Sequence, residues 1–131
     1  MHRSKHSAVA GEFIIGDHTV IGAWANVRAA GGRIEIGRDV MIGQLVSLLA
    51  ANHRRDELGC NPHEGRWDES RTGVRVEDGA WIGADVVVLP GVTVGRRAVL
   101  AAGSVAARDV PAGEVRGGIS ARQITRSAAS G

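Results

Sequence analysis

Apolar residues along this chain recur at every sixth position. The clearest run lies in Val76–Asp109, where Val76, Ile82, Val88, Val94, Leu100 and Ala106 form one register. A second register, two residues earlier, reads Val74, Ala80, Val86, Val92, Ala98 and Ser104. A period of six fits neither the helix turn of about 3.6 residues nor the two-residue alternation of an isolated strand. Held over this length, it predicts a solenoid of short strands with two inward side chains per hexad and a turn between hexads. Gly83 and Gly95 follow the main register and Pro90-Gly91 stands between hexads, the residue types such corners call for.

The same pattern begins earlier. Its main register reads Ile15, Ile21, Val27 and then Ile36, Ile42, Leu48, with companions Ile34, Val40 and Val46. The step from Val27 to Ile36 is three residues longer than a hexad, so Ala29–Arg33 is predicted to bulge at a corner. Asp17 or Asp39 is expected to cap the turns with side-chain hydrogen bonds. Between Leu48 and Val76 the period is lost across Asn52–Gly73, a polar, charged stretch of 22 residues that returns in phase. Such an excursion from a regular scaffold reads as a functional arm. Twelve hexads result, which make about four coils if three hexads close one triangular coil. The predicted division is an arm over residues 1–11, flexible and without period, a β-helix domain over 12–110, and a C-terminal extension over 111–131.

Composition supports a narrow, aliphatic interior. The 131 residues include 19 Gly, one Phe and no Tyr, where a helical or sandwich core leans on Leu and aromatics. The net charge of +2 suits an anionic small ligand as well as it suits nucleic acid, and no basic cluster selects the latter. Cys60 is the sole cysteine, which excludes an internal disulfide. No apolar run of membrane-spanning length and no secretion signal are present in the sequence, so a cytoplasmic location is expected.

The run WIGADVVVLPGVTVGRRAVLAAGSVAARDVP resembles the hexapeptide-repeat acyltransferases, specifically the sugar O-acetyltransferase and xenobiotic acetyltransferase branch. The likeness extends over roughly Phe13 to Ile124. It implies an all-β fold, a left-handed parallel β-helix, whereas the general rule for parallel connections favours the right hand. It also implies a homo-oligomer, a trimer in this family, and acetyl-CoA as co-substrate, with no metal, no nucleic acid and no membrane.

Acetyl transfer to a hydroxyl or amine needs a base, a donor for the developing oxyanion and a cradle for a polyanionic cofactor. His53 is the candidate base. It stands at the first step off the scaffold, after Asn52, where the family carries its catalytic histidine, and its ordinary pKa suits proton transfer near neutrality. A lone loop histidine is otherwise most often just solvated. His63, mid-loop beside Pro62, is the competitor, and His18 falls in a surface turn. The resemblance points to the backbone N–H of Ala84 as oxyanion donor. It points to Ala102, Ala107, Arg108 and Arg122 for the cofactor. Arg108 stands for the family's lysine and keeps its charge, Ala107 stands for a threonine and loses a hydroxyl, and Ser120 stands for a proline before Ala121-Arg122. Asn26 resembles a substrate-contacting asparagine. Trp81 should point outward and suits a subunit interface. Arg96 and Arg97 read as plain surface charge.

The leading expectation is acetyl transfer from acetyl-CoA to the hydroxyl of a sugar or sugar-like acceptor. The same residues serve N-acetylation of an amino sugar or antibiotic. A γ-type carbonic anhydrase shares this fold but requires histidines on zinc, where this chain has Ala84-Asp85 after Gly83. A non-catalytic β-helix subunit is the remaining alternative. Serine O-acetyltransferases share the solenoid but carry a large helical domain ahead of it, and only a short arm precedes these repeats.

Overall fold

The computed structural model describes residues 2–6, 11–52 and 71–126. The hexads form the strands β1 (His2–His6), β2 (Gly11–Ile15), β3 (Val20–Ile21), β4 (Asn26–Arg28), β5 (Arg33–Ile36), β6 (Met41–Ile42), β7 (Ser47–Leu49) and β8 (Val74–Val76). They continue as β9 (Trp81–Ile82), β10 (Val87–Val88), β11 (Val92–Val94), β12 (Val99–Leu100), β13 (Val105–Ala106), β14 (Glu114–Gly117) and β15 (Arg122–Arg126). No helix occurs among the described residues. Every third strand falls in the same sheet. Sheet A contains β2, β5, β8 and β11, sheet B contains β3, β6, β9, β12 and β14, and sheet C contains β4, β7, β10 and β13. Within each of these series the pairing is parallel. The architecture is therefore a parallel β-helix of three faces.

The register shows why the period is six. Val76 pairs with Val94, Ile82 with Leu100 and Val88 with Ala106, so each residue stacks on one eighteen positions away and three hexads complete a rung. The main register thereby becomes three interior columns. One of them runs Ile36, Val76, Val94 and another Leu48, Val88, Ala106, all no more than 1% exposed. The companion residues Ile34, Val40, Val46, Ala80, Val86, Val92, Ala98 and Ser104 are buried with them. Ser104 is the polar member, and its hydroxyl donates to the Ala101 carbonyl at 2.7 Å, which satisfies the buried group. The three surplus residues lie in the corner before β5, as the spacing predicts. There Gly31 takes a φ of 78° and the Gly32 amide donates to the Ala29 carbonyl at 3.0 Å.

Three expectations are corrected. Residues His2–His6 do not form a flexible arm: they pair as β1, antiparallel to β2, and so satisfy a sheet edge that would otherwise be open. The solenoid does not stop at Pro111. Val110 bridges Val94, β14 pairs in parallel with β12, and Ile119 bridges Val105, which adds a partial further rung. Its position below Leu100 is filled by Arg116, a charged residue in an inward register. The arginine donates to the Glu114 carboxylate at 3.2 Å and to the Asp109 carbonyl at 3.3 Å, so its stem covers the last apolar layer while its head is paired. The turns, finally, are not capped by Asp39, whose carboxylate faces the exposed Arg38 and His18 side chains. Capping falls to Asp78, which accepts from the Arg38 amide at 3.0 Å, and to Asp109, which accepts from the Thr93 amide at 2.8 Å. Thr19 adds a third link, donating to the Gly37 carbonyl at 2.6 Å and accepting from the Val40 amide at 3.2 Å.

Glycine at the first corner position sets how closely rungs approach. A Cβ on Gly43 would stand 2.7 Å from the Ala84 nitrogen, a backbone atom with no freedom to retreat. Gly103 differs, with a φ of 75° and nothing within 4 Å of a built Cβ. Gly43→Ala is therefore expected to cost roughly 1–3 kcal/mol, the scale of overpacking. Gly103→Ala should show only the left-handed backbone penalty of about 1–2 kcal/mol without disturbing its neighbours. Urea unfolding of both variants, with amide spectra of the flanking rungs, distinguishes crowding from strain. Unperturbed Ala84 resonances in Gly43→Ala would refute the close approach.

Candidate active site

Two corners of the prism carry most of the candidate residues. At the corner between sheets B and C, Ala84 and Ala102 occupy the same place on successive rungs. Gly83 and Gly43 make the stacking possible, since a Cβ on Gly83 would stand 2.8 Å from the Ala102 nitrogen. The next residue of each rung, Trp24, Leu45, Asp85 or Gly103, takes a positive φ. Its amide donates to the rung before, from Asp85 to Gln44 at 3.0 Å and from Gly103 to Ala84 at 2.8 Å. The Ala84 and Ala102 amides donate no hydrogen bond among the described residues. Both are available to a ligand, but so is the Gln44 amide one rung earlier. The unspent donor is a property of this corner and does not by itself single out Ala84.

Ala107 and Arg108 stand on the same rung as Ala102 but at the opposite edge of sheet C, where the chain passes to sheet A. This corner is heavily tied. The Leu89 amide donates to Ala106 at 3.0 Å, the Arg71 guanidinium to Ala107 at 2.9 Å, and Arg116 to the Asp109 carbonyl. Arg108, between them, is exposed and makes no hydrogen bond among the described residues. Arg122 opens β15 opposite Gly117 and follows Ala121, whose amide donates to Val105 at 2.7 Å. The candidates thus fall on both edges of the narrow sheet C rather than in one spot.

Asn26 begins β4 and is exposed on the outer face of sheet C, beside Ser47 of β7. His53, like His63, lies outside the described residues. The chain runs toward it from Ala50, at the same corner that carries Arg108. The Ala50 carbonyl accepts from the Gly73 amide at 2.6 Å, and the Gly73 carbonyl from the Gly91 amide at 2.6 Å, so both ends of the excursion are stitched into the ladder. Trp81 points outward and is 54% exposed, in a row with Val20 and Met41 on the face of sheet B. Trp24, at the neighbouring corner, is 85% exposed. His18 is exposed in its turn.

Two grooves, of about 280 and 440 Å³, lie on the outer face of sheet A and share Glu35 and Arg75. Neither includes a candidate residue. Their walls include the pairs Arg33 with Glu35 at 3.1 Å and Arg75 with Glu35 at 3.4 Å, a ladder that Glu12 extends by pairing with Arg33 at 3.2 Å and a usual way to solvate a sheet face. Among the described residues no group of three or more His, Cys, Asp or Glu is placed to hold a metal ion. Nor is any helix there long and apolar enough to cross a membrane. Sequence reasoning missed Asp109, Asp78 and Arg71. An Asp just before a proline-bearing turn was the available signal for Asp109, and Arg71 carried none.

Comparison with known proteins places these corners in context. Residues 73–108 match the family model described as bacterial transferase hexapeptide (six repeats). A hexapeptide-repeat acetyltransferase of Vibrio cholerae, solved with acetyl coenzyme A, superposes with a TM-score of 0.77 at 35% identity, over 87% of this chain and 60% of that one. The galactoside O-acetyltransferase of Lactococcus lactis is 35% identical over 79 residues, 60% of this chain and 36% of its own length. The 2,3,4,5-tetrahydropyridine-2,6-dicarboxylate N-acetyltransferase of Staphylococcus aureus is 45% identical over 58 residues, 44% of this chain and 24% of its own. The resemblance to the hexapeptide-repeat acyltransferases is thus borne out, while the chain spans less than half the length of these curated relatives.

The reassigned cap gives a direct check. Asp109→Ala removes the acceptor of the Thr93 amide and is expected to cost about 0.5–1.5 kcal/mol. Asp39→Asn, which suits the left-handed backbone of that residue (φ 55°) and touches only exposed side chains, should stay within about 0.5 kcal/mol of the parent. Equal losses in thermal unfolding would contradict the assignment of caps.

Proposed function

We propose that this chain is an acetyltransferase that moves the acetyl group of acetyl-CoA to a hydroxyl of a sugar or sugar-like acceptor, with His53 as general base. The observation that carries this reading is the stacked corner of Ala84 and Ala102, whose amides are unspent among the described residues, with Ala102 on the rung that also presents Arg108, unbonded among those residues. Free amides suit a carbonyl oxygen and a pantetheine chain, and exposed arginines suit phosphates. The donor set therefore fits the cofactor held in the Vibrio cholerae relative. In this reading the fold is a left-handed β-helix of about four coils, interrupted by the excursion at 52–73.

The chemistry divides among the chain's own groups. Bound acetyl-CoA supplies the acyl group. His53 takes the proton of the acceptor hydroxyl as its oxygen attacks the thioester carbon. The Ala84 amide holds the negative charge that develops on the carbonyl oxygen. As the C–S bond breaks, His53 returns the proton to the departing thiolate. Ala102, Ala107, Arg108 and Arg122 bind the cofactor, and Asn26 orients the acceptor.

Candidate residues on convex corners cannot enclose a ligand within one chain, so a second wall is required. The exposed row of Val20, Met41 and Trp81, with Trp24 and Leu45 at the next corner, is the kind of apolar surface that closes against another subunit. We assign the assembly as a homotrimer and the setting as cytoplasmic. The identity to an N-acetyltransferase over residues of the same repeats favours a second reading, transfer to an amine, which uses the same groups.

Thiol release from acetyl-CoA, measured across sugars, amino sugars and other amines, tests both readings at once. His53→Ala is expected to lower turnover roughly 10²–10⁴-fold while coenzyme A binding and assembly persist. Full turnover in that variant removes His53 as the base.

A further inference from the structure

We propose that Arg71 is a positioning residue for coenzyme A, holding the Ala107–Arg108 corner by its hydrogen bond to the Ala107 carbonyl; this rests on the acetyl-CoA reading above. Arg71 is a described residue near the C-terminal end of the excursion, and it is exposed. Its side chain nevertheless follows a defined path. The Nε and Cβ of Arg71 stand 3.1 and 3.2 Å from where a Cβ on Gly91 would lie. Gly91 is therefore the gap through which the arginine stem crosses one rung to reach the next. At the far end Nη2 donates to the Ala107 oxygen at 2.9 Å, a contact between residues 36 apart in sequence.

What this contact fixes follows from peptide geometry. In a planar trans peptide the carbonyl of one residue and the N–H of the next point in opposite directions. Holding the Ala107 carbonyl toward Arg71 therefore aims the Arg108 N–H away from it. That N–H and the Arg108 guanidinium are left without partners among the described residues. Ala107 has no polar side chain with which to secure this corner itself. Arg71 forms no ion pair among the described residues. Ordering an exposed arginine costs up to about 2 kcal/mol of rotamer freedom, more than a solvated bond usually returns. A residue held so for stability alone is poorly explained; one that orients an anion-binding peptide is not.

The test uses the full-length protein, with calorimetric titration of coenzyme A and steady-state kinetics. For Arg71→Ala the expected result is a dissociation constant for coenzyme A and a KM for acetyl-CoA raised about tenfold, the scale of one charge-assisted hydrogen bond. The value of kcat and the melting temperature should remain near those of the parent. Arg71→Lys, which keeps one donor, should recover part of the affinity. If the parent binds coenzyme A and Arg71→Ala binds it equally well, the positioning role is overturned and the acetyl-CoA reading stands. A loss of kcat with unchanged KM, or a lowered melting temperature not recovered by lysine, also overturns it. If the parent itself binds no coenzyme A, both fall together.

Discussion

Successive rungs of this protein can lie only as close as their corners permit, and that approach governs the rest of the molecule. Parallel strands require a spacing of about 4.8 Å, set by the backbone hydrogen bonds between them. A side chain at the first position of a corner would collide with the main chain of the next rung, as the built Cβ atoms on Gly16, Gly22, Gly43, Gly83 and Gly95 all do within 3 Å. Glycine at those places is what lets the columns of Ile, Val and Leu close without voids. The interior is then one residue wide per column, which explains why the chain manages with a single Phe.

The same constraint makes the outer surface chemically useful. A corner that must hug its neighbour spends some amides on the ladder and leaves the residue after the glycine unspent, as at Gln44, Ala84 and Ala102. Binding donors are therefore a by-product of close stacking, repeated along an edge at the rung spacing. An extended ligand can meet several of them in line. What the regular scaffold does not supply is a reactive side chain or a concave wall. These have to come from places where the period breaks, or from another chain.

The interior columns were legible in the sequence because six is an unusual period and because every inward position is aliphatic or small. The corner surplus at residues 29–32 was legible for the same reason. Arg116 was not, because a hydrophobic pattern cannot announce a charged residue that takes an inward place by burying its stem and pairing its head with Glu114. The strand at His2–His6 escaped notice since its partner is an edge of β2, and edge pairing leaves no periodic mark. Of the site, the corner residues were placed by resemblance, and their separation onto two edges of sheet C appears only in three dimensions. Asp17 and Asp39 were plausible caps by residue type. Asp78 and Asp109 hold that role because their carboxylates, and not that of Asp39, reach an amide of an adjoining rung.

The corner between sheets C and A is where these threads meet. Regularity there is interrupted twice, by the surplus before β5 and by the excursion after Ala50, yet it carries side-chain ties to the main chain from Arg71, Asp109 and Arg116. The corner between sheets A and B carries ties from Thr19 and Asp78, and that between sheets B and C one from Ser104. Extra fastening at the most irregular edge is the expected response when a long departure must return in phase. It also leaves Arg108 exposed between fastened neighbours, without a hydrogen bond among the described residues. Asp109 and Arg116 thus secure the fold at this corner, while the bond from Arg71 fixes the peptide beside Arg108.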